Sequence, residues 1–142
     1  MKTKTYLPLL IILLLALTLA ACGGGEEADT ASSSADVTGN AAAGEALYKQ
    51  PVIGKNSAPG CNTCHSLEEG VTLVGPSHAG MGTRAATAVA GQSAEEFLHE
   101  SIVNPNTVIT DGFTAGVMYP AFGTDLSDQE IADLVAYLMT LK

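Results

Sequence analysis

The sequence predicts a small all-α domain, in which three to four short helices and long loops surround something other than side chains. Three segments carry helix-starting residues followed by apolar side chains at helical spacing, whereas no stretch alternates apolar and polar residues for more than four positions. The composition offers little material for a core, with no Trp, three Phe and four Tyr among 142 residues. We therefore expect a bound group at the centre of the domain.

Capping residues mark where the three helices begin. Asn40 is placed to cap a helix over residues 41–50, which ends before Pro51. Two capping boxes, Ser93 to Glu96 and Ser127 to Glu130, open the second and third helices. The second helix is predicted to run to about Val103, and the third to the C-terminus. The third helix carries apolar residues at helical spacing: Ile131, Leu134, Val135, Leu138 and Leu141.

The N-terminus has the features of an export signal. Residues 1–21 combine a short basic start, an apolar run and small residues at positions 20 and 21. The sequence from Leu19 to Cys22 resembles the bacterial lipobox, in which the signal is cleaved before the cysteine and the thiol is lipidated. An uncleaved transmembrane anchor is the alternative, although the apolar run over residues 6–21 is short for a bilayer. Both interpretations place the rest of the chain on the extracytoplasmic (periplasmic) side of the cell membrane and attach it there.

The chain after the signal is strongly acidic. The whole sequence has a formal net charge of −9, and without residues 1–21, which contain two lysines and no acidic residue, the net charge is −11. Such a chain is repelled by phosphate backbones, so we expect no nucleic-acid partner. Residues 22–40 consist mostly of small, polar and acidic residues and are predicted to form a flexible linker that begins at Cys22. The folded domain is expected to span residues 41–142.

One motif predicts the bound group. Cys61-Asn62-Thr63-Cys64-His65 has the C-x-x-C-H pattern of c-type haem attachment. Two thiols at this spacing reach the two vinyl groups along one edge of a porphyrin, and the imidazole that follows reaches the iron. A thioredoxin-like redox pair would need a βαβ setting, and a zinc site would need a second pair of ligands. We therefore predict one haem c, attached covalently through Cys61 and Cys64, with His65 as an iron ligand.

The sixth iron ligand is less directly specified. Met118 lies in a loop between the second and third predicted helices, where a thioether could reach the iron from the face opposite His65. Met81 or His78 could take this position instead, or the position could be open. On placement in the sequence, Met118 is the favoured ligand.

From residue 41 onward the chain resembles class I cytochrome c. The resemblance is to membrane-anchored monohaem domains such as those fused to cytochrome oxidase subunit II. Gly44 and Tyr48 match the glycine and aromatic of the family's first helix, and Leu134 and Tyr137 match the apolar and aromatic pair of its last helix. In this family the two helices cross closely at the glycine.

The resemblance also implies roles for residues around the haem. Gly75-Pro76 matches the family's Gly-Pro pair, so the Pro76 carbonyl is expected to orient the ring of His65. Arg84 matches an arginine that pairs with a haem propionate. Met118 is implied as the sixth ligand.

Three features depart from the family pattern. An additional loop, Pro51 to Gly60, precedes the haem motif and is expected to cover one haem edge. Tyr119 stands between Met118 and Pro120, where the family usually has Met followed directly by Pro. His78 replaces a residue that is usually apolar, and we expect it to be partly buried and hydrogen-bonded to a loop carbonyl or a propionate.

A haem with both axial positions filled predicts single-electron transfer rather than catalysis. The acidic residues are scattered at helix starts and form no acid and base pair, so no catalytic residue and no small-molecule substrate are predicted. One expectation is a monohaem subunit of a respiratory or photosynthetic membrane complex, such as a quinol-oxidising alternative complex III, with other haem subunits as partners. A mobile tethered carrier is the alternative. A haem enzyme or sensor would require a labile sixth ligand.

Overall fold

The computed structural model describes residues 37–142, so the predicted signal peptide, Cys22 and the linker up to residue 36 lie outside the described residues. Five α-helices and one two-stranded sheet form the described region, which confirms the predicted all-α class. None of the helices in this range is long and apolar enough to span a bilayer. The helices are α1 (Ala41–Tyr48), α2 (Met81–Arg84), α3 (Ala94–Val103), α4 (Phe122–Asp125) and α5 (Asp128–Thr140), and the strands are β1 (Val52–Ile53) and β2 (Ala58–Pro59).

The first and last helices pack against each other and form the centre of the fold. Gly44 of α1 lies directly on the backbone of Asp133, where any Cβ atom would collide with the Asp133 carbonyl. One turn further along α1, the rings of Tyr48 and Tyr137 meet with centroids 5.2 Å apart. Tyr48 and Leu134 are almost completely buried. The close crossing implied by the resemblance is therefore present.

The three predicted helix starts are confirmed. The Asn40 side chain accepts hydrogen bonds from the backbone N–H groups of Ala42 and Ala43, 3.0 and 3.2 Å away. Complete capping boxes open α3 at Ser93 and α5 at Ser127. Helix α1 ends at Tyr48, two residues before the predicted end. The single-turn helices α2 and α4 were not predicted, because four residues are too few to show a hydrophobic period.

The additional loop before the haem motif is a β-hairpin. Strands β1 and β2 are antiparallel, with Val52 opposite Pro59 and Ile53 opposite Ala58. Ile53 and Ala58 are buried in the core, and the turn uses positive φ angles at Gly54 and Ser57. Strands of two residues have no recognisable alternation, so the sequence indicated only a loop.

The packed region begins before α1. The Asn40 N–H donates to a carboxylate oxygen of Asp133 at 2.7 Å, and the Gln129 side chain donates to the Thr38 carbonyl at 3.1 Å. Gly39 lies against the backbone of Ala132. Residues 38–40, which the sequence analysis assigned to the end of the linker, are therefore held on α5.

Candidate haem site

The haem motif begins at a tight turn that directly follows the hairpin. Residues Cys61–Thr63 form one turn of 3-10 helix, and the His65 N–H donates to the Cys61 carbonyl at 2.9 Å. Cys61 and Cys64 are half-buried free thiols. Burial raises the pKa of the Cys61 thiol to about 11, so this group is protonated at neutral pH. The turn brings both sulfur atoms and the His65 ring to one cavity.

The His65 ring is oriented by the segment that follows the motif. Its Nδ1 lies 2.8 Å from the Pro76 carbonyl, and because a carbonyl can only accept, Nδ1 carries the proton. The other ring nitrogen, Nε2, therefore keeps its lone pair for a metal. Gly75 lies against the ring, where a Cβ atom would be 2.8 Å from Nδ1. Burial lowers the pKa of His65, although the Pro76 carbonyl opposes this shift, and a neutral imidazole is the form that binds iron.

A second imidazole packs on the first. The rings of His65 and His78 are stacked, with centroids 3.9 Å apart and planes inclined by 16°. The Nδ1 atom of His78 lies 3.1 Å from the hydroxyl of Tyr48, which in turn lies 3.2 Å from the His65 carbonyl. One arrangement of protons satisfies both contacts: His78 Nδ1–H donates to the hydroxyl, and the hydroxyl donates to the carbonyl.

His78 therefore stacks on the ring of the expected iron ligand and links it to the Tyr48 side chain. Its Nδ1 partner is the side chain of Tyr48 and not a loop carbonyl, because the end of α1 packs onto this loop. Burial, together with the neighbouring His65 and Arg84, lowers the pKa of His78 to about 3. The ring is thus neutral at physiological pH.

The cavity beside His65 has a volume of about 430 Å³ and is mostly apolar. Met118, Met81 and His78 all line it, so each of the three candidate sixth ligands lies at the wall of this cavity. Apolar side chains supply most of its remaining walls: Val74, Phe97, Leu98, Ile102, Val108, Ile109, Phe113, Val117, Phe122 and Leu138. The sequence did not assign these residues to the site, because helical periodicity marks a buried face without showing what covers it, and apolar residues in loops carry no periodic signal.

Arg84 lies outside the cavity lining. Its side chain is exposed, and the guanidinium donates to the backbone carbonyls of Ala79 and of Ser77, the latter at 2.7 Å. These bonds use two of its five N–H donors. Within residues 37–142 the remaining donors have no partner, which leaves them for the propionate that the resemblance implies.

The donor set fits a haem c. A thiol pair at the attachment spacing, an imidazole with a free Nε2 and a thioether all face one apolar cavity, and Gly75 leaves room for the imidazole. The two helices that cross at Gly44, the motif and this cavity together define a class I c-type cytochrome.

Comparison with family models agrees with this class. Residues 39–138 match the family described as cytochrome c oxidase, cbb3-type, subunit III, and the chain belongs to this family. Comparison with curated proteins found no significant match. The domain is thus a c-type cytochrome that binds haem c and transfers electrons.

Proposed function

We propose that this chain carries one haem, which would be bound covalently through Cys61 and Cys64 and would take His65 and Met118 as its protein ligands to the iron. The convergence of these four side chains on one apolar cavity is the observation that carries the proposal. A haem c in this position supplies one iron that alternates between the ferrous and ferric states. The protein does not need to move a proton or bind a substrate for this transfer.

The surrounding residues keep the iron closed to other ligands. His65 presents Nε2 because Nδ1 is bound to the Pro76 carbonyl. Met118 lines the same cavity as His65, and a methionine that binds the iron would raise the reduction potential. Apolar walls exclude water and lower the local dielectric, which favours the less charged ferrous state. This combination suits outer-sphere transfer of single electrons.

We further propose that Cys22 carries a lipid and holds the domain on the periplasmic side of the membrane. The support is the lipobox-like sequence from Leu19 to Cys22 after an apolar signal. Cys22→Ser should leave haem attachment intact and yield an uncleaved or mislocalised precursor, measured by mass spectrometry and membrane fractionation. A mature, membrane-bound Cys22→Ser protein of unchanged mass apart from the substitution would contradict the lipidation.

The preferred role is that of a monohaem subunit in a membrane electron-transfer complex. The description of the matched family as an oxidase subunit supports a subunit role, and a quinol-oxidising alternative complex III is a second setting of the same kind. A mobile carrier between complexes is the competing role. The mature charge of −11, to which propionates add, would make encounters of a mobile carrier with cationic partners strongly dependent on salt.

Two measurements separate these roles. Mild detergent extraction followed by size separation should recover the protein together with other haem subunits. Electron transfer in the intact membrane should change little between about 0.01 and 0.15 M salt, where the Debye length falls from about 30 to 8 Å. Recovery as a free monomer, with a rate that falls over this range, would favour the mobile carrier.

A further inference from the structure

Two of the departures from the class I pattern contact the same buried carboxylate. Asp125, the last residue of α4, is only 5% exposed. The Tyr119 hydroxyl donates to its Oδ2 at 2.6 Å, and the Asn56 side chain of the hairpin turn donates to its Oδ1. A backbone hydrogen bond also joins the hairpin turn to α4, because the Lys55 N–H donates to the Asp125 carbonyl at 3.2 Å. We call Asn56, Tyr119 and Asp125 the Asp125 cluster.

The hairpin and Tyr119, the two features that depart from the family pattern, are both hydrogen-bonded to Asp125. An inserted hairpin that only covered the cavity would not need to bond α4, and Tyr119 could be replaced by any aromatic if it only filled space. Both carboxylate oxygens instead have their own donor, as a buried carboxylate requires. The bond with Asp125 also raises the pKa of Tyr119, so the hydroxyl keeps its proton.

The cluster is attached to the chain next to Met118. Met118 lies in the long irregular segment between α3, which ends at Val103, and α4, which begins at Phe122. Tyr119 follows it directly, and its ring also contacts Phe122 edge-on with centroids 5.0 Å apart. Tyr119, the chain neighbour of Met118, is therefore held at its hydroxyl by Asp125 and at its ring by Phe122.

We propose that the Asp125 cluster is a positioning device for Met118: the hairpin holds Asp125, Asp125 holds Tyr119, and Tyr119 keeps the Met118 thioether against the iron. The inference rests on the proposed ligation by Met118. Its prediction is specific, because weakening the cluster should increase the fraction of molecules in which Met118 has left the iron. An external ligand binds only that fraction, so its apparent affinity measures the effect.

The experiment titrates imidazole into the oxidised, haem-loaded full-length protein and follows the absorption spectrum. Tyr119→Phe removes only the hydroxyl. Because one hydrogen bond to a charged group no longer helps to hold Met118, we expect imidazole to bind about tenfold more tightly. Asn56→Ala should strengthen it about threefold. In the double variant, the gain should fall short of the product of the two single gains, because both side chains act through Asp125.

The matched control is Asn104→Ala. Asn104 is also an exposed asparagine whose amide donates to a carboxylate, that of Glu100 at 3.2 Å, but it does not touch Asp125. Its imidazole affinity should equal that of the wild type. A purely structural role of the cluster would lower the free energy of unfolding in Tyr119→Phe and leave the imidazole affinity unchanged, and that result would overturn the proposal.

Met118→Ala distinguishes failure of the inference from failure of the proposed ligand. If Met118→Ala binds imidazole far more tightly than the wild type while Tyr119→Phe does not, Met118 is the ligand and the cluster does not position it. If Met118→Ala binds imidazole like the wild type, the ligand assignment is wrong and the positioning role falls with it.

Discussion

The two sides of the haem cavity are built in different ways. The proximal wall, which we define as residues 61–65 and 75–78, orients His65 through contacts within one short stretch of chain. The Pro76 carbonyl that binds the His65 ring is only 11 residues away in sequence. The distal wall, residues 118–125, depends on Asp125, whose bond to Asn56 joins residues 69 positions apart.

This difference has a consequence for how firmly each ligand is held. The contact with Pro76 that orients the His65 ring closes as soon as its own loop forms, because few residues have to be ordered for it. The distal wall is complete only when the hairpin, α4 and the Met118 segment have come together. We therefore expect His65 to be the firmly held ligand and Met118 to be the ligand that dissociates from the iron first.

The largest effect is expected from Gly75→Ala on the proximal wall. The new Cβ would press on the His65 ring, so the free energy of unfolding should fall by about 3 kcal/mol and haem incorporation should decrease. Chemical denaturation and haem content check this. Gly70→Ala is the control, because Gly70 has a positive φ of 73° but open space around it, and it should cost only about 1 kcal/mol. Equal losses in the two variants would contradict close packing at His65.

The next effect is expected from Met118→Ala on the distal wall. The low-spin haem should become five-coordinate or bind another ligand, the reduction potential should fall, and stability should decrease by about 2 kcal/mol. The long-wavelength absorption band of methionine-ligated ferric haem reports the loss. Met81→Ala is the control, since Met81 lines the same cavity. Loss of the band in Met81→Ala alone would show that the two methionines have been assigned the wrong way round.

A smaller effect is expected from His78→Leu. Leucine retains bulk behind His65 but removes the contact with Tyr48, whose hydroxyl keeps the His65 carbonyl as its acceptor. Stability should fall by about 1 kcal/mol. The reduction potential should rise, because a less polar wall disfavours the ferric state. His99→Leu, on the exposed face of α3, should change neither quantity. An unchanged potential in His78→Leu would show that the stacked ring does not act on the iron.

The smallest effect on stability is expected from Arg84→Gln. The side chain is exposed and, among the described residues, bonds only backbone carbonyls, so its loss should cost about 0.5 kcal/mol. If the guanidinium also neutralises a propionate, as the resemblance implies, the reduction potential should fall as well. Lys55→Gln removes the same charge elsewhere and should leave the potential unchanged. Identical reduction potentials in Arg84→Gln and Lys55→Gln would show that Arg84 does not interact with the haem.

The contrast between the two walls also explains what the sequence could predict. The haem motif and the helix starts follow local rules, so three of the helices were predictable to within a few residues. The Gly44 crossing came from the resemblance, and the structure places Gly44 against Asp133 as expected.

The contacts that the sequence did not predict are long-range. Nothing in the residues around Asn56 indicates Asp125 as a partner, and the hairpin strands are too short to show alternation. The bond of His78 to Tyr48 likewise arises only when α1 meets the loop after the motif. Tertiary packing determines these contacts, so they required the structure.

We propose that Met118 closes the sixth position of the iron, so that the domain transfers electrons without binding small molecules at the haem. The most direct test is to expose the reduced, haem-loaded full-length protein to carbon monoxide and record the absorption spectrum. We expect the spectrum of the wild-type protein to stay unchanged over minutes, whereas reduced Met118→Ala should bind the gas at once. Rapid binding by the wild-type protein would contradict the claim and favour a haem sensor or enzyme.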